Sequence, residues 1–115
     1  MNLTPEQQET FWKGAGCERI NYQRCSCHPN NIGSYWHTPD GDYLPTMPDI
    51  DDLNALITIA LPKAVEKLQN EHIWTVSRST HYIFQAWEIE SKGQLPTASA
   101  LVAVLYPILT GEELR

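Results

Sequence analysis

An apolar stripe interrupted by a proline limits the fold of this chain more than any other feature. Leu53, Leu56, Ile57 and Ala60 fall at i, i+3, i+4 and i+7, the spacing that lines one face of an α-helix. Pro48-Asp49 opens the stretch, and Asp49, Asp51 and Asp52 stand where the positive end of a helix dipole favours carboxylates. Pro62 then arrives with no N–H to donate and a ring that clashes one turn back. Val65 and Leu68 carry the stripe onward to about Asn70. The chain therefore either kinks at Pro62 or starts a second helix there.

Two shorter helices flank this one. Thr4-Pro5-Glu6-Gln7 supplies an N-cap, a proline at the first helical position, an acid in the first turn and a capping-box glutamine. Phe11, Trp12 and Ala15 give that helix its apolar side, and Gly14 and Gly16 read as its stop. Near the other end, Thr97 is a candidate N-cap for Ala98, Leu101, Val102, Leu105 and Leu109. Pro107 should end or bend that helix, and Gly111 closes it.

The remaining segments read as strand and turn. Residues 73–77 alternate Trp74 and Val76. Residues 81–89 alternate Tyr82, Phe84 and Ala86, then Trp87 and Ile89. Both runs are β-branched and aromatic, and Arg78-Ser79-Thr80 between them is short and polar, so an antiparallel hairpin is expected. The phase shift at Ala86-Trp87 would mark a bulge. Residues 17–48 are irregular and hold Pro29, Pro39, Pro45 and Pro48. Within them Thr38-Pro39-Asp40-Gly41 is turn chemistry, with short strands expected at Ile32–His37 and Tyr43–Leu44. The expected class is α+β, with helices packed on a small antiparallel sheet. A length of 115 residues is one domain, 1–115, able to bury about two-thirds of its unfolded surface.

Composition excludes several functions. Apolar residues are 42% and charged residues 19%, which is ordinary for a globular chain. No run approaches the ~18 apolar residues of a membrane span. Residues 1–10 carry Glu6 and Glu9 and no apolar stretch, so they do not read as a signal peptide. A cytoplasmic, reducing location is expected. The net charge of −6 and pI near 5.0 argue against unaided binding to a nucleic-acid backbone.

Three features bear on chemistry. Cys17, Cys25, Cys27 and His28 are thiol and imidazole ligands of the kind zinc takes. Only one residue separates Cys25 from Cys27, whereas the usual knuckle has two to four. The cluster is therefore a zinc site or a set of reduced, partly buried thiols, with a Cys17–Cys25 bond formed in vitro as a third option. No other cofactor is expected. Next, no Lys or Arg occurs between Arg24 and Lys63, while Asp40, Asp42, Asp49, Asp51 and Asp52 all lie in that stretch. Five carboxylates without basic neighbours make either a surface for a basic partner or simply a capped helix start and a solvated turn. Last, Tyr35, Trp36 and Tyr43 surround the Pro39–Gly41 turn, either as an exposed stacking surface or as a small core pinning that segment. His28, His37, His72 and His81 form no recognisable triad, and no phosphate loop or metalloprotease motif is present, so no enzymatic activity is expected.

Tyr35-Trp36 followed by Pro39-Asp40-Gly41, then Leu44-Pro45, Pro48-Asp49 and Asp52-Leu53-Asn54-Ala55, sets up an order of motifs. The hairpin with Trp74 and Trp87 and the Pro96-Thr97-Ala98-Ser99-Ala100-Leu101 helix start complete it. In that order and spacing, residues from about 35 to 110 resemble the small phage and prophage proteins called phage ABA sandwich domains. The resemblance implies an α/β sandwich and a viral or mobile-element origin. It transfers no active site, and that pattern usually has an unbroken helix where this chain has Pro62.

Three functions follow as expectations. The first is a small non-enzymatic phage-type protein that binds and inhibits a host defence protein, with Trp36 and the acidic 40–52 segment as its contact surface. The second is a binder of a nucleotide-like small molecule, held by Tyr35, Trp36 and Arg24 or Arg78, which would favour a homo-oligomer. The third is a zinc-stabilised structural protein.

Overall fold

The computed structural model describes residues 3–23 and 32–111. Helix α1 (Pro5–Gly14) begins as its sequence dictates. Thr4 Oγ1 accepts the Gln7 backbone N–H at 3.1 Å, and Gln7 Oε1 accepts the Thr4 N–H at 2.9 Å. Phe11 and Trp12 are fully buried on its inner side.

The segment after α1 is more regular than its prolines and glycines suggest. Strand β1 (Glu18–Gln23) pairs antiparallel with β2 (Ile32–His37), in a register that runs from Glu18 opposite His37 to Gln23 opposite Ile32. Strand β3 (Tyr43–Leu44) then pairs with the end of β2, giving the order β1-β2-β3. The turn between β2 and β3 forms as its chemistry requires. Thr38 N–H donates to Asp42 O, Gly41 N–H donates to Thr38 O, and Gly41 takes the positive φ of +95°.

Pro62 does not interrupt the helical run. Helix α2 (Leu53–Ala55) runs through a π turn (Leu56–Ala60) into α3 (Leu61–His72) without a break. In that turn the Leu61 N–H donates to Leu56 O, five residues back rather than four. Pro62 follows directly on this wider turn, so its missing N–H falls where the ladder changes from the i−5 pattern back to that of α3. Asp52 caps the start through its Oδ1, 3.3 Å from the Ala55 N–H.

The expected hairpin at 73–77 and 81–89 is a helix, α4 (Val76–Glu90). Thr75 caps it by accepting from the Arg78 N–H at 3.1 Å. Its inner side is Ser79, Ile83 and Trp87 at i, i+4 and i+8. There is accordingly no bulge at Ala86-Trp87. Ile73, in the left-handed region at φ 56°, turns the chain between α3 and α4.

Helix α5 (Ala98–Thr110) starts on a Thr97 cap and is the centre of the core. It packs against α1, the π turn, α3 and α4, and buries Leu101, Val102, Leu105, Tyr106 and Leu109. A helix touched on so many sides must be apolar around most of its circumference, as this one is. It continues to Thr110, past Pro107. At its end Lys67 Nζ donates to Leu109 O at 2.6 Å, and α1 presses against the same turn at Gly14.

The class is α+β, as expected: among the described residues, four helical bodies pack with a small three-stranded antiparallel sheet. The helices bury mainly one another, and the sheet joins them through Cys17 and Trp36, with Leu44 and Met47 packed beside.

Candidate functional site

Strand alternation decides what Tyr35 and Trp36 do, because neighbouring side chains point to opposite faces. Trp36 faces the helices and is 5% exposed, one of the core residues. It is therefore not part of a contact surface; it pins the sheet to the helical body. Tyr35 faces the other way and is half-buried in a row of rings, 5.9 Å from Tyr22 and 5.2 Å from Tyr43. Tyr22 belongs to this row and escapes a reading of the sequence alone, since it becomes a neighbour only once β1 is formed.

The acidic residues are all exposed, and the fold sorts them. Asp49 and Asp52 line one groove of about 670 Å³ between the 44–49 loop and the start of the long helix. Its other walls include Leu44, Met47, Thr58 and Ile59, so two carboxylates edge a partly apolar trough. Asp40 lines a smaller cleft on the far side of Thr58 and Ile59, with Lys63 and Glu66. The π turn thus stands between the two concavities, and it is the element that sets their shape. Asp42 and Asp51 line neither. Asp51 is held by its N–H to Asp49 Oδ1 at 3.0 Å, and Asp42 by its N–H to Thr38 Oγ1 at 3.1 Å. Each carboxylate therefore has a local structural duty or a solvated position, and Asp49 and Asp52 combine a duty with a place in the groove.

Cys17 is buried, 2% exposed, and its thiol is free. Burial pushes its pKa up to about 11 from an ordinary 9.0, so the free thiol keeps its proton at neutral pH. Cys25, Cys27 and His28, the other members of the expected cluster, lie outside the described residues, as does Arg24. Among the described residues no group of three His, Cys, Asp or Glu side chains is gathered as a metal site.

Tyr35 and Trp36, expected together in a contact surface or around a small molecule, are on opposite faces of β2 and do not share one site. Arg78 is engaged elsewhere, with its guanidinium 4.6 Å above the Trp74 ring. That ring is stacked on His72 at 4.5 Å and touches Tyr82 at 5.5 Å, making a separate aromatic group at the α3–α4 corner.

Among the described residues no helix is long and apolar enough to cross a membrane. No family model, curated protein or solved structure matches this chain.

Proposed function

We propose that this is a non-enzymatic binding protein that takes a basic segment of a partner protein into the groove between the 44–49 loop and the π turn. The observation that supports the reading is the make-up of that groove. Leu44, Met47 and Ile59 offer apolar contact, Asp49 and Asp52 offer charge, and among the described residues no lysine or arginine lines it. Apolar contact with charge at the rim is the usual anatomy of a protein interface. Opposite charge on the partner speeds encounter and fixes register more than it adds affinity. The resemblance to small phage proteins extends the proposal: the partner is a host protein of the cytoplasm, and binding inhibits a host defence function.

The test is a triple substitution, Asp49→Asn, Asp51→Asn and Asp52→Asn. Asparagine caps a helix about as well as aspartate, and at 49 it keeps an oxygen for the residue 51 N–H. The charge is removed while the fold is kept, as a circular-dichroism melt would verify. Anisotropy of a labelled Lys/Arg-rich amphipathic peptide reads the binding. The native protein should bind it in a salt-sensitive way, and the triple variant about tenfold more weakly. Equal binding by the two proteins at every salt concentration overturns the proposal.

A further inference from the structure

The outward face of the sheet carries a row of four rings that the groove does not explain. Tyr22, Tyr35 and Tyr43 each come from a different strand, and His37 extends the row 5.3 Å from Tyr43. Tyr22 and Tyr43 are 46% and 68% exposed. Tyr22 stands directly opposite Gly33, which has no side chain, so its ring leans diagonally onto Tyr35. These tyrosines add little to the core, yet they wall a shallow groove with Pro45. That groove shares Leu44 and Pro45 with the acidic one, so one continuous surface runs from the tyrosines to Asp49 and Asp52.

We infer that this surface binds a proline-rich segment in the polyproline II conformation, with basic residues following it. The inference rests on the proposed binding function and names the kind of segment bound. A polyproline II segment is already extended and stiff, so it loses little entropy on docking, and it characteristically docks in aromatic-lined grooves. Such a segment leaves its carbonyls unbonded, and tyrosine hydroxyls are suited to donate to them. Charge favours the same occupant. Glu18 shares the tyrosine face by strand alternation, and Asp42 directly precedes Tyr43. Arg19 is on the opposite face, 3.6 Å from Glu9 of α1. A nucleotide would bring phosphate to these carboxylates.

The experiment titrates the whole protein into fluorescein-labelled peptides. One has Pro-Leu-Pro units followed by a Lys/Arg run, and one has Gly-Ser units before the same run. The proline peptide should bind at least tenfold more tightly. Tyr43→Ala and Tyr22→Ala should erase that difference and leave the Gly-Ser peptide unaffected, while Tyr43→Phe should keep most of it. Equal affinity for the two peptides overturns the inference and leaves the acidic groove standing. Failure of both peptides to bind overturns the groove as well. Amide shifts at 22, 35 and 43 caused by uridine monophosphate or a short glucan, without peptide binding, overturn the inference in favour of a stacking ligand.

Discussion

Ile73 is a β-branched residue held at a positive φ of 56°. A β-branched side chain in the left-handed region crowds the following carbonyl, which costs about 1–2 kcal/mol. Ile73 is 92% exposed, so no packing offsets this cost. Ile73→Asn, which tolerates that backbone and suits a helix end, should raise stability by about 1 kcal/mol in urea unfolding. A loss of stability would mean that the side chain makes contacts that its exposure hides. Cys17 gives a residue-scale prediction of opposite character. Its thiol keeps its proton in the fold until about pH 11, whereas the unfolded thiol ionises near 9.0. Its contribution is therefore complete below pH 9 and is lost as pH rises from there towards 11. Cys17→Ala should lose less stability than the native protein as pH rises from about 9 towards 11. Parallel slopes for the two proteins would remove the burial effect. In the native protein at neutral pH, a thiol reagent should label Cys17 only after unfolding.

At the scale of elements, caps and turns were the most readable part of the sequence, because they are local chemistry. Thr4 and Thr97 cap the helices that their positions announce, and Thr38 to Gly41 turns where expected, whereas the long helix expected to open at Pro48-Asp49 starts only at Leu53, on an Asp52 cap. Helix α4 was unreadable for a specific reason. Its exposed residues Val76, Tyr82 and Phe84 are apolar and supply the two-residue alternation of a strand, and exposed Ile89 does the same beside Trp87. Its true inner stripe begins with Ser79, fully buried, whose Oγ donates to Thr75 O at 3.0 Å. A serine carries no hydrophobic signal, so the 3.6-residue period was masked. Strand β1 was missed because Glu18–Gln23 is polar, with only Ile20 and Tyr22 in alternation, and the tyrosine row was lost with it. The acidic groove was legible as charge, but not as a trough, since the π turn that walls it depends on Pro62 being absorbed. The α1–α5 crossing offers a test of element packing. A Cβ added at Gly14 would stand 2.5 Å from Leu109 O, backbone that cannot give way cheaply. Gly14→Ala should destabilise by about 2 kcal/mol, despite alanine's better helix propensity. A stabilised variant would show that the two helices can part freely.

The whole molecule is longer than its size requires, and this shapes how it should open. A compact chain of about 100 residues has a radius of gyration near 13 Å, whereas this one has 16.0 Å and extends 55 × 29 × 23 Å. The excess fits the sheet: six-residue strands span about 20 Å, and they contact chiefly each other. What ties the sheet to the helices is a small set of contacts. Trp36 and Cys17 enter the core, and the exposed Arg19–Glu9 ion pair adds little. Free energy of local opening follows the burial that must be lost, so the sheet should open well before the helical body does. In native-state hydrogen exchange, α5 amides around Leu101, Leu105 and Leu109 should exchange only on global unfolding. Amides of β1 and β2 should exchange through a separate, cheaper opening. Trp36→Ala should lower that second free energy by about 3 kcal/mol and leave the α5 amides nearly unchanged. Since both proposed binding surfaces use the sheet or its junction, a bound peptide should protect the β1 and β2 amides selectively. Protection of β1, β2 and α5 that rises and falls together in native protein and variant alike would instead make the sheet an integral layer of one cooperative core.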